Sequence, residues 1–170
     1  MRHHLDIIGD IVQATATKLG IDIRYLFGSV DEITESLMQL SVYTTTAETK
    51  YPLFCVVTDI EEQKGNSSSI FTTFTPQTIL IACDTLPTLK AIERKAQSFE
   101  AVLNPIYMEF LRQMYISPFV ECQVPERIEH TKIERYRWGR NQITTADGQS
   151  VDYIVAIEIK NLTFKIQNLS

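Results

Sequence analysis

The chain has 170 residues, of which 44% are hydrophobic and 22% charged, and 16 Lys and Arg residues are set against 21 Asp and Glu. This apolar content and the lack of a fixed repeat exclude the disordered, collagen-like and coiled-coil classes. The acidic excess argues against general nucleic-acid binding, which needs a surplus of Lys and Arg. Because a chain of this length buries about 70% of the surface that its unfolded form exposes, we expect one globular domain over residues 1–170 that folds without a metal or a disulfide.

The N-terminal segment changes from a helical to a strand period. Apolar residues recur every three or four positions from Leu5 to Leu19, which predicts an amphipathic helix with Gly20 at its C-cap. From residue 21 to residue 27, apolar side chains recur at every second position, which predicts a strand that ends at Gly28.

A second, short helix is predicted directly after this strand. Ser29 and Glu32 have the spacing of a capping box, in which each side chain accepts a hydrogen bond from the other residue's backbone amide. Ile33, Leu37 and Leu40 follow at helical spacing, so we expect the helix to reach Leu40.

The same turn raises an enzymatic alternative. Leu-Phe-Gly-Ser, ending at Ser29, resembles the start of the phosphate-binding turn of minimal nucleotidyltransferases, in which a following acid-x-acid strand holds magnesium. Asp59 and Glu61 supply such an acid pair, with Glu158 as a third carboxylate. However, 30 residues separate Ser29 from Asp59, whereas that family has about a dozen, so Gly28 is better interpreted as a strand-ending turn.

Two apolar runs with a polar segment between them predict a β-hairpin. We expect antiparallel strands at 53–59 and 78–83, with 70–75 as an extension of the second. Residues 61–69 (EEQKGNSSS) contain no apolar residue and are predicted to form a long, mobile hairpin loop. Hairpin loops usually have about two to five residues, so this one is either a tolerated insertion or an interaction site.

The longest helical pattern runs from Thr88 to Met114. Its apolar residues, at intervals of three or four, are Ile92, Ala96, Phe99, Leu103, Ile106, Phe110 and Met114. Asn104-Pro105 interrupts the stripe. We expect a kink or a break there, because proline lacks an amide hydrogen and crowds the preceding turn.

The C-terminal third of the chain is predicted to be sheet. Segments 119–124, 128–138 and 152–166 show β-branched and aromatic residues in alternation. The order of helix, strands, long helix and strands predicts an α+β fold. In it, a largely antiparallel sheet has the N-terminal helix and the long helix packed on one face.

Neither the cysteines nor the histidines form a recognisable site. Cys55, Cys83 and Cys122 are odd in number, lack C-x-x-C spacing and have apolar neighbours, which predicts reduced, buried thiols and an intracellular origin. The histidines are His3, His4 and His130. They show no metal-ligand spacing, no G-x-S-x-G motif occurs, and no run reaches the about 18 apolar residues of a membrane span. We expect no catalytic residue, metal, cofactor or membrane contact.

One basic cluster stands out in this acidic chain. Residues 127–140 (RIEHTKIERYRWGR) contain five basic and two acidic residues. In a strand, Arg135 and Arg137 share one face while Glu134 and Tyr136 share the other, which predicts a solvated basic face over a packed aromatic one. The alternative is a strand that holds a phosphate backbone and offers an aromatic ring for stacking.

Charge is also unevenly distributed along the chain. Residues 1–85 hold five basic and eleven acidic groups, whereas residues 86–170 hold eleven basic and ten acidic groups. An acidic N-terminal half and a basic strand within one subunit favour contacts between identical chains in a ring.

Five blocks of the sequence resemble small proteins encoded by phages and prophages of Bacteroides-type gut bacteria. They are 51–62 (YPLFCVVTDIEE), 79–85 (ILIACDT), 99–107 (FEAVLNPIY), 130–135 (HTKIER) and 154–162 (IVAIEIKNL). The element order is similar to that of the tail-terminator and tail-completion proteins of long-tailed phages. Those proteins are α+β subunits that form a ring, commonly a hexamer, at the head-proximal end of the tail, where they stop tube growth and join the neck.

The resemblance implies a virion structural protein of the tail or neck, present in the host cytoplasm during assembly, and not an enzyme. Its partners would be copies of itself in a ring such as a hexamer, together with tail tube and neck proteins. DNA would pass at most transiently through the channel. The residues expected to make these contacts are Glu61, Glu62 and Lys64 on the hairpin and Arg135, Arg137 and Arg140 on the basic strand. The alternatives are an enzyme of minimal nucleotidyltransferase type and a monomeric adaptor.

Overall fold

One mixed sheet with helices on both faces organises the protein. The structure is a computed structural model that describes residues 3–43, 50–64, 71–122, 128–136, 152–160 and 162–167. The helical elements are α1 (His4–Leu19), α2 (Val30–Tyr43), α3 (Ala91–Arg94), a π-helical segment (Lys95–Leu103) and α4 (Asn104–Ile116). The strands are β1 (Arg24–Gly28), β2 (Leu53–Lys64), β3 (Phe71–Asp84), β4 (Val120–Cys122), β5 (His130–Tyr136), β6 (Ile154–Lys160) and β7 (Phe164–Gln167).

Strand β3 lies at the centre of this sheet. The strand order is β1-β2-β3-β6-β5, in which β1 and β2 are parallel and the other neighbours are antiparallel. Residues 78–84 of β3 pair with β6, whereas residues 71–74 pair with β7, which also pairs with β4. The predicted strand 152–166 is therefore two strands that extend along different halves of β3. The α+β fold with a largely antiparallel sheet is confirmed.

Helix α1 ends where the apolar period predicts. Gly20 adopts a left-handed conformation (φ 66°), and its amide donates to the carbonyl oxygens of Ala16 and Thr17. The helix is joined to β1 by the Tyr25 hydroxyl, which donates to the Leu5 carbonyl oxygen at 2.9 Å. The start of the chain is thereby held against the edge of the sheet that β1 forms.

The two faces of the sheet bury separate apolar clusters. The cluster under α1, the π-helical segment and α4 includes Phe54, Val56, Ile79, Ile81 and Phe110. The cluster under α2 includes Ile33, Leu37, Cys55, Leu80 and Ala82. Since successive strand residues point to opposite faces, strands that are apolar at nearly every position must be covered on both sides. The predicted packing of α1 and the long helix on one face is confirmed, while α2 lies on the opposite face.

Two of the three thiols are described and lie on opposite faces. Cys55 and Cys83 are buried and free, and they belong to different clusters, so they cannot pair with each other. Burial raises the pKa of both thiols, to about 12 for Cys83, where the Asp84 carboxylate adds to the effect. The prediction of reduced, buried thiols is confirmed for these two, and the side chain of Cys122 lies outside the described residues.

The predicted hairpin loop at 61–69 is wrong at its first four positions. Strand β2 continues to Lys64, and Glu61, Glu62 and Lys64 pair in antiparallel register with Thr75, Phe74 and Thr72. Backbone groups form this ladder whatever the side chains, and the threonine-rich partner strand has a strong preference for sheet. Residues 65–69 of the predicted loop lie outside the described residues.

Of the kink or break predicted at Asn104-Pro105, the break does not occur, because helical residues continue from Ala91 to Ile116. The π-helical segment ends at Leu103, where the Asn104 amide donates to the Phe99 carbonyl oxygen, five residues earlier. Pro105 lies in the first turn of α4, directly after the π-helical segment. A turn of a π-helix contains more residues than a turn of an α-helix, so the positions at the N-terminal end of the long helix are rotated out of the predicted stripe. Ile92 is accordingly 70% exposed.

Replacing Phe110 by alanine should lower the free energy of unfolding by about 3–5 kcal/mol, because a fully buried ring is removed from the core. Its ring centroid lies 4.6 Å from that of Phe54, so the aromatic contact is lost as well. Urea unfolding measures the change. Met108→Ala, on the same helix but 63% exposed, should change stability by less than about 0.5 kcal/mol. Equal losses in the two variants would contradict this placement of α4.

Candidate interaction surfaces

Strand β5, which carries the described part of the basic cluster, forms one edge of the sheet. Its alternate side chains contact the long helix. His130 and Tyr107 have ring centroids 4.6 Å apart, the Lys132 ammonium lies 5.8 Å from the Phe99 ring centroid, and the carboxylate of Glu134 lies 2.6 Å from the Arg94 guanidinium. One face of β5 therefore packs within the subunit, and it does so through a cation–π contact and an ion pair, whereas the sequence predicted a packed aromatic face.

The predicted division of the basic strand into two faces is wrong at its centre. A register shift between Ile133 and Tyr136 places two residues opposite one on β6. As a result, Glu134 faces the long helix while Tyr136 packs against the α2 cluster, although the alternation predicted a shared face. Arg135, at the bulge, is exposed. Arg137 and Arg140 lie outside the described residues.

Arg94 is a buried cation that sequence reasoning missed. It is 8% exposed and donates to the Leu89 carbonyl oxygen as well as to Glu134. Arg94, Ser98 and Leu103 are buried at intervals of four and five, which fits the wide turns of the π-helical segment, and no apolar period in the sequence marks the arginine as buried. The pair fixes β5 to the start of the long helix.

The hairpin residues and the basic strand lie at opposite ends of the sheet. Lys64 pairs with Thr72, near one end of β3. At the end of β5, Tyr136 pairs with Ile154 of β6, and Ile154 pairs with Asp84 at the other end of β3. At about 3.3 Å per residue, the end of β5 lies roughly 30 Å from the level of Glu61 and roughly 40 Å from that of Lys64 along β3. Glu61, Glu62 and Lys64 therefore do not form one site with Arg135. Strand β1 pairs with β2 as far as Val57, and beyond this residue no described strand pairs with β2 on that side.

The other edge of the sheet is acidic. We use the name acidic edge for the exposed carboxylates around β1. They lie on α1, on α2 and on the segment between these two helices. They are Asp6, Asp10, Asp22, Asp31, Glu32 and Glu35. Lys18 and Arg24 are the basic residues of this part of the chain. The carboxylates of the N-terminal half therefore gather around β1, at one end of the strand order, while β5, which carries the described part of the basic cluster, lies at the other end.

The turn at Gly28 is occupied by a carboxylate. The Ser29 amide donates to Glu32 Oε2 at 2.7 Å, and the Glu32 amide donates to the Ser29 hydroxyl at 3.3 Å, so the predicted capping box is confirmed. A Cβ at Gly28 would lie only 2.9 Å from Glu32 Oε2. A phosphate-binding turn must offer its amides to an anion, and here Glu32 already accepts from the Ser29 amide. Glu158 lies three strands from β1, and the side chains of Asp59 and Glu61 lie outside the described residues.

The described residues give no sign of a metal centre or a membrane span. Across these ranges, no three His, Cys, Asp or Glu side chains come close enough together to hold an ion. No described helix combines the length and the apolar character that a bilayer crossing requires.

No protein-family model, curated protein or solved structure matches the chain.

The capping box predicts a pH-dependent contribution to stability. Hydrogen bonds from the backbone and the side chain of Ser29 hold the pKa of Glu32 below its ordinary value of 4.5. A lowered folded-state pKa stabilises the protein above the unfolded-state pKa, and this contribution is lost as the pH falls through the folded-state value. Glu32→Gln should therefore be less stable than the parent at pH 7, with a difference that shrinks below about pH 4.5.

Urea unfolding at a series of pH values measures this difference, and Glu35→Gln, outside the cap, is the matched control. A Glu32→Gln difference that stays constant down to pH 2 would contradict the role of the carboxylate charge.

Removing the partner of Arg94 should destabilise the fold. Glu134→Ala is expected to cost about 1–2 kcal/mol, less than for a fully buried pair because Glu134 is half-exposed. Glu129→Ala, which removes an exposed carboxylate just before β5, should change stability by less than about 0.5 kcal/mol. Chemical unfolding of both variants tests this, and indistinguishable midpoints would show that the pair does not hold β5.

Proposed function

We propose that this protein is a structural virion subunit, a tail terminator or head–tail connector that forms a ring at the head-proximal end of a phage tail. The observation that carries the proposal is the placement of the acidic edge and of β5, the described part of the basic cluster, at opposite ends of one sheet. The resemblance of five sequence blocks to phage proteins supplies the biological setting.

Opposite edges of opposite charge favour a head-to-tail contact. In such a contact the β5 edge of one copy meets the acidic edge of the next, so each copy uses two different surfaces, and the chain of contacts closes into a ring when the rotation permits. Charge complementarity of this kind steers association and disfavours edges of like charge from meeting.

The construction of β5 favours a side-chain contact over open-ended strand addition. Its bulge between Ile133 and Tyr136 interrupts the ladder, and Lys132 directs a charge toward the long helix. Bulges and inward charges are two ways in which proteins protect exposed sheet edges from uncontrolled pairing. Such an edge disfavours open-ended strand pairing between copies and leaves a contact through side chains as the means of association.

The far end of the β2–β3 hairpin is proposed to contact the tail tube or a neck protein. It lies roughly 40 Å from the β5 contact, at the estimated rise per strand residue, so a subunit can engage both a neighbour in the ring and a component above or below it. In this arrangement the protein occupies the virion tail or neck, is present in the host cytoplasm during assembly, and meets DNA only as it passes through the channel.

Charge reversal tests the head-to-tail arrangement. Arg135→Glu and the double variant Asp31→Lys/Glu35→Lys should each weaken self-association about tenfold or more, corresponding to about 1.4 kcal/mol, because like charges then face each other. Sedimentation velocity across protein concentration and ionic strength measures it. Arg112→Glu, an equal charge change on the outer surface of α4, is the control and should assemble as the parent does.

Mixing the two charge-reversed proteins tests whether these two edges meet each other. Each variant retains one intact edge, and the two reversed edges again carry opposite charges, so the mixture should recover assembly that neither variant shows alone. Variants that both assemble like the parent would overturn the proposed contact. A parent protein that stays monomeric at every concentration and ionic strength would instead support the adaptor alternative.

A further inference from the structure

Strand β1 leaves backbone groups open at one edge of the sheet. The Arg24 amide donates to the Pro52 carbonyl oxygen at 2.9 Å, and β1 then pairs in parallel register with β2. In a parallel ladder, the residues of a strand alternate between those whose amide and carbonyl groups face the partner and those whose groups face away. The groups of Tyr25 and Phe27 therefore face away from β2, on a side where no described strand pairs with β1.

Strand β1 also lacks the features that protect other sheet edges. Its five residues (RYLFG) include neither proline nor lysine, and its pairing with β2 runs without a register shift. Strand β5, at the opposite edge, has a bulge and directs Lys132 toward the long helix. Since proteins commonly protect exposed edges by such means, an edge without them is suited to pairing with another chain.

An exposed aromatic surface lies beside these open backbone groups. Phe27 is 52% exposed, and its ring centroid lies 5.8 Å from that of Tyr25, on the same face of the strand. The Tyr25 ring is held in place, because its hydroxyl donates to the Leu5 carbonyl oxygen at 2.9 Å. Aromatic and β-branched side chains are favourable neighbours across paired strands. A β-branched residue on an added strand would therefore pack on these two rings.

The charges around β1 favour a basic partner. Asp22 precedes the strand and Asp31 follows it, so exposed carboxylates lie near both of its ends. Burial, and then the nearby Asp6 carboxylate, raises the pKa of Tyr25, which places a third carboxylate near the strand. Arg24, at the first position, is the one charged residue within β1. An acidic segment would be repelled here, whereas basic residues at the ends of an added strand would meet opposite charges.

We infer that the open edge of β1 binds an extended, basic segment of another protein, which adds to the sheet as a further strand. Its backbone bonds to the amide and carbonyl groups of Tyr25 and Phe27, its β-branched residues pack on the two rings, and its Lys or Arg residues lie near Asp22 and Asp31. In strand addition of this kind, main-chain hydrogen bonds give affinity and alternate side chains give specificity.

A second copy of this chain fits the open edge less well. Pairing of two β1 strands would bring two acidic edges together, and the bulge in β5 disfavours strand pairing by the basic cluster. The inference goes beyond the proposed ring and does not rest on it. A ring neighbour would meet the same acidic edge, so the segment binds a subunit on which this edge is uncovered.

Hydrogen exchange tests the edge directly. The full chain with Arg135→Glu is used, because this variant keeps the acidic edge but is expected not to bind a ring neighbour. In the free protein, the Tyr25 and Phe27 amides should exchange faster than the Leu26 amide, which faces β2. A saturating peptide, acetyl-KVTVTVK-amide, should slow exchange at Tyr25 and Phe27 about tenfold or more and leave Leu26 unchanged.

Unchanged exchange at Tyr25 and Phe27 with the peptide would overturn the inference. So would protection of these amides that rises with protein concentration in the absence of peptide, because a second copy would then occupy the edge. If the ring proposal is wrong, Arg135→Glu behaves like the parent and this readout is unaffected, so the two proposals fail separately.

Modified peptides separate strand addition from simple charge attraction. Amides at alternate positions of an added strand face β1, so N-methylation of either the valines or the threonines should abolish binding, while methylation of the other set should be tolerated. Fluorescence anisotropy measures both peptides. Equal effects of the two methylations would overturn backbone pairing.

Charge variants test the choice of a basic segment. Asp22→Asn/Asp31→Asn should weaken binding of the KVTVTVK peptide about threefold or more, since exposed charge pairs contribute modestly. Glu129→Gln, an exposed carboxylate beside the opposite edge of the sheet, is the matched control and should leave binding unchanged. The peptide acetyl-EVTVTVE-amide should bind at least tenfold more weakly, and equal affinity for the two peptides would contradict the assignment.

Discussion

The structure depends on strand β3, which is covered on both faces and paired along its whole length. Phe71–Asp84 pairs with β2 on one side and with β6 and β7 on the other, so a single strand sets the register of the sheet. Its residues Ile79 and Ile81 face the long helix and α1, while Leu80 and Ala82 face α2. A shift of β3 by one residue would exchange these two sets between the faces.

This constraint also determines where the charges lie. Because β3 is central, β1 and β5 become the two edges of the strand order, and the acidic N-terminal elements are held at one edge while β5, the described part of the basic cluster, forms the other. The long hairpin then extends beyond β1 and carries its charged residues away from both. The proposed ring contacts and the proposed tail contact therefore occupy separate surfaces of one rigid sheet.

Local features were predictable wherever a short-range rule decides them. The helix end at Gly20, the capping box of Ser29 and Glu32, and the apolar core of β2 and β3 depend on residues that are close in sequence. The errors arise where strand pairing or an irregular helical turn overrides a residue's local preference. Glu61 to Lys64 join a strand because Thr72 to Thr75 lie opposite them, and Pro105 does not break the helix because a π-helical segment ends beside it.

The sequence by itself determined the α+β class, the periods of the main elements, the buried thiols of Cys55 and Cys83, and the uneven distribution of charge. Only the tertiary structure decided that α2 covers the opposite face, that Arg94 is buried against Glu134, and that Tyr25 and Phe27 lie on an open edge of the sheet. The reason is physical. Periodicity and capping arise from neighbours within a few residues, whereas burial, ion pairing and the order of strands arise where segments distant in sequence meet across the sheet.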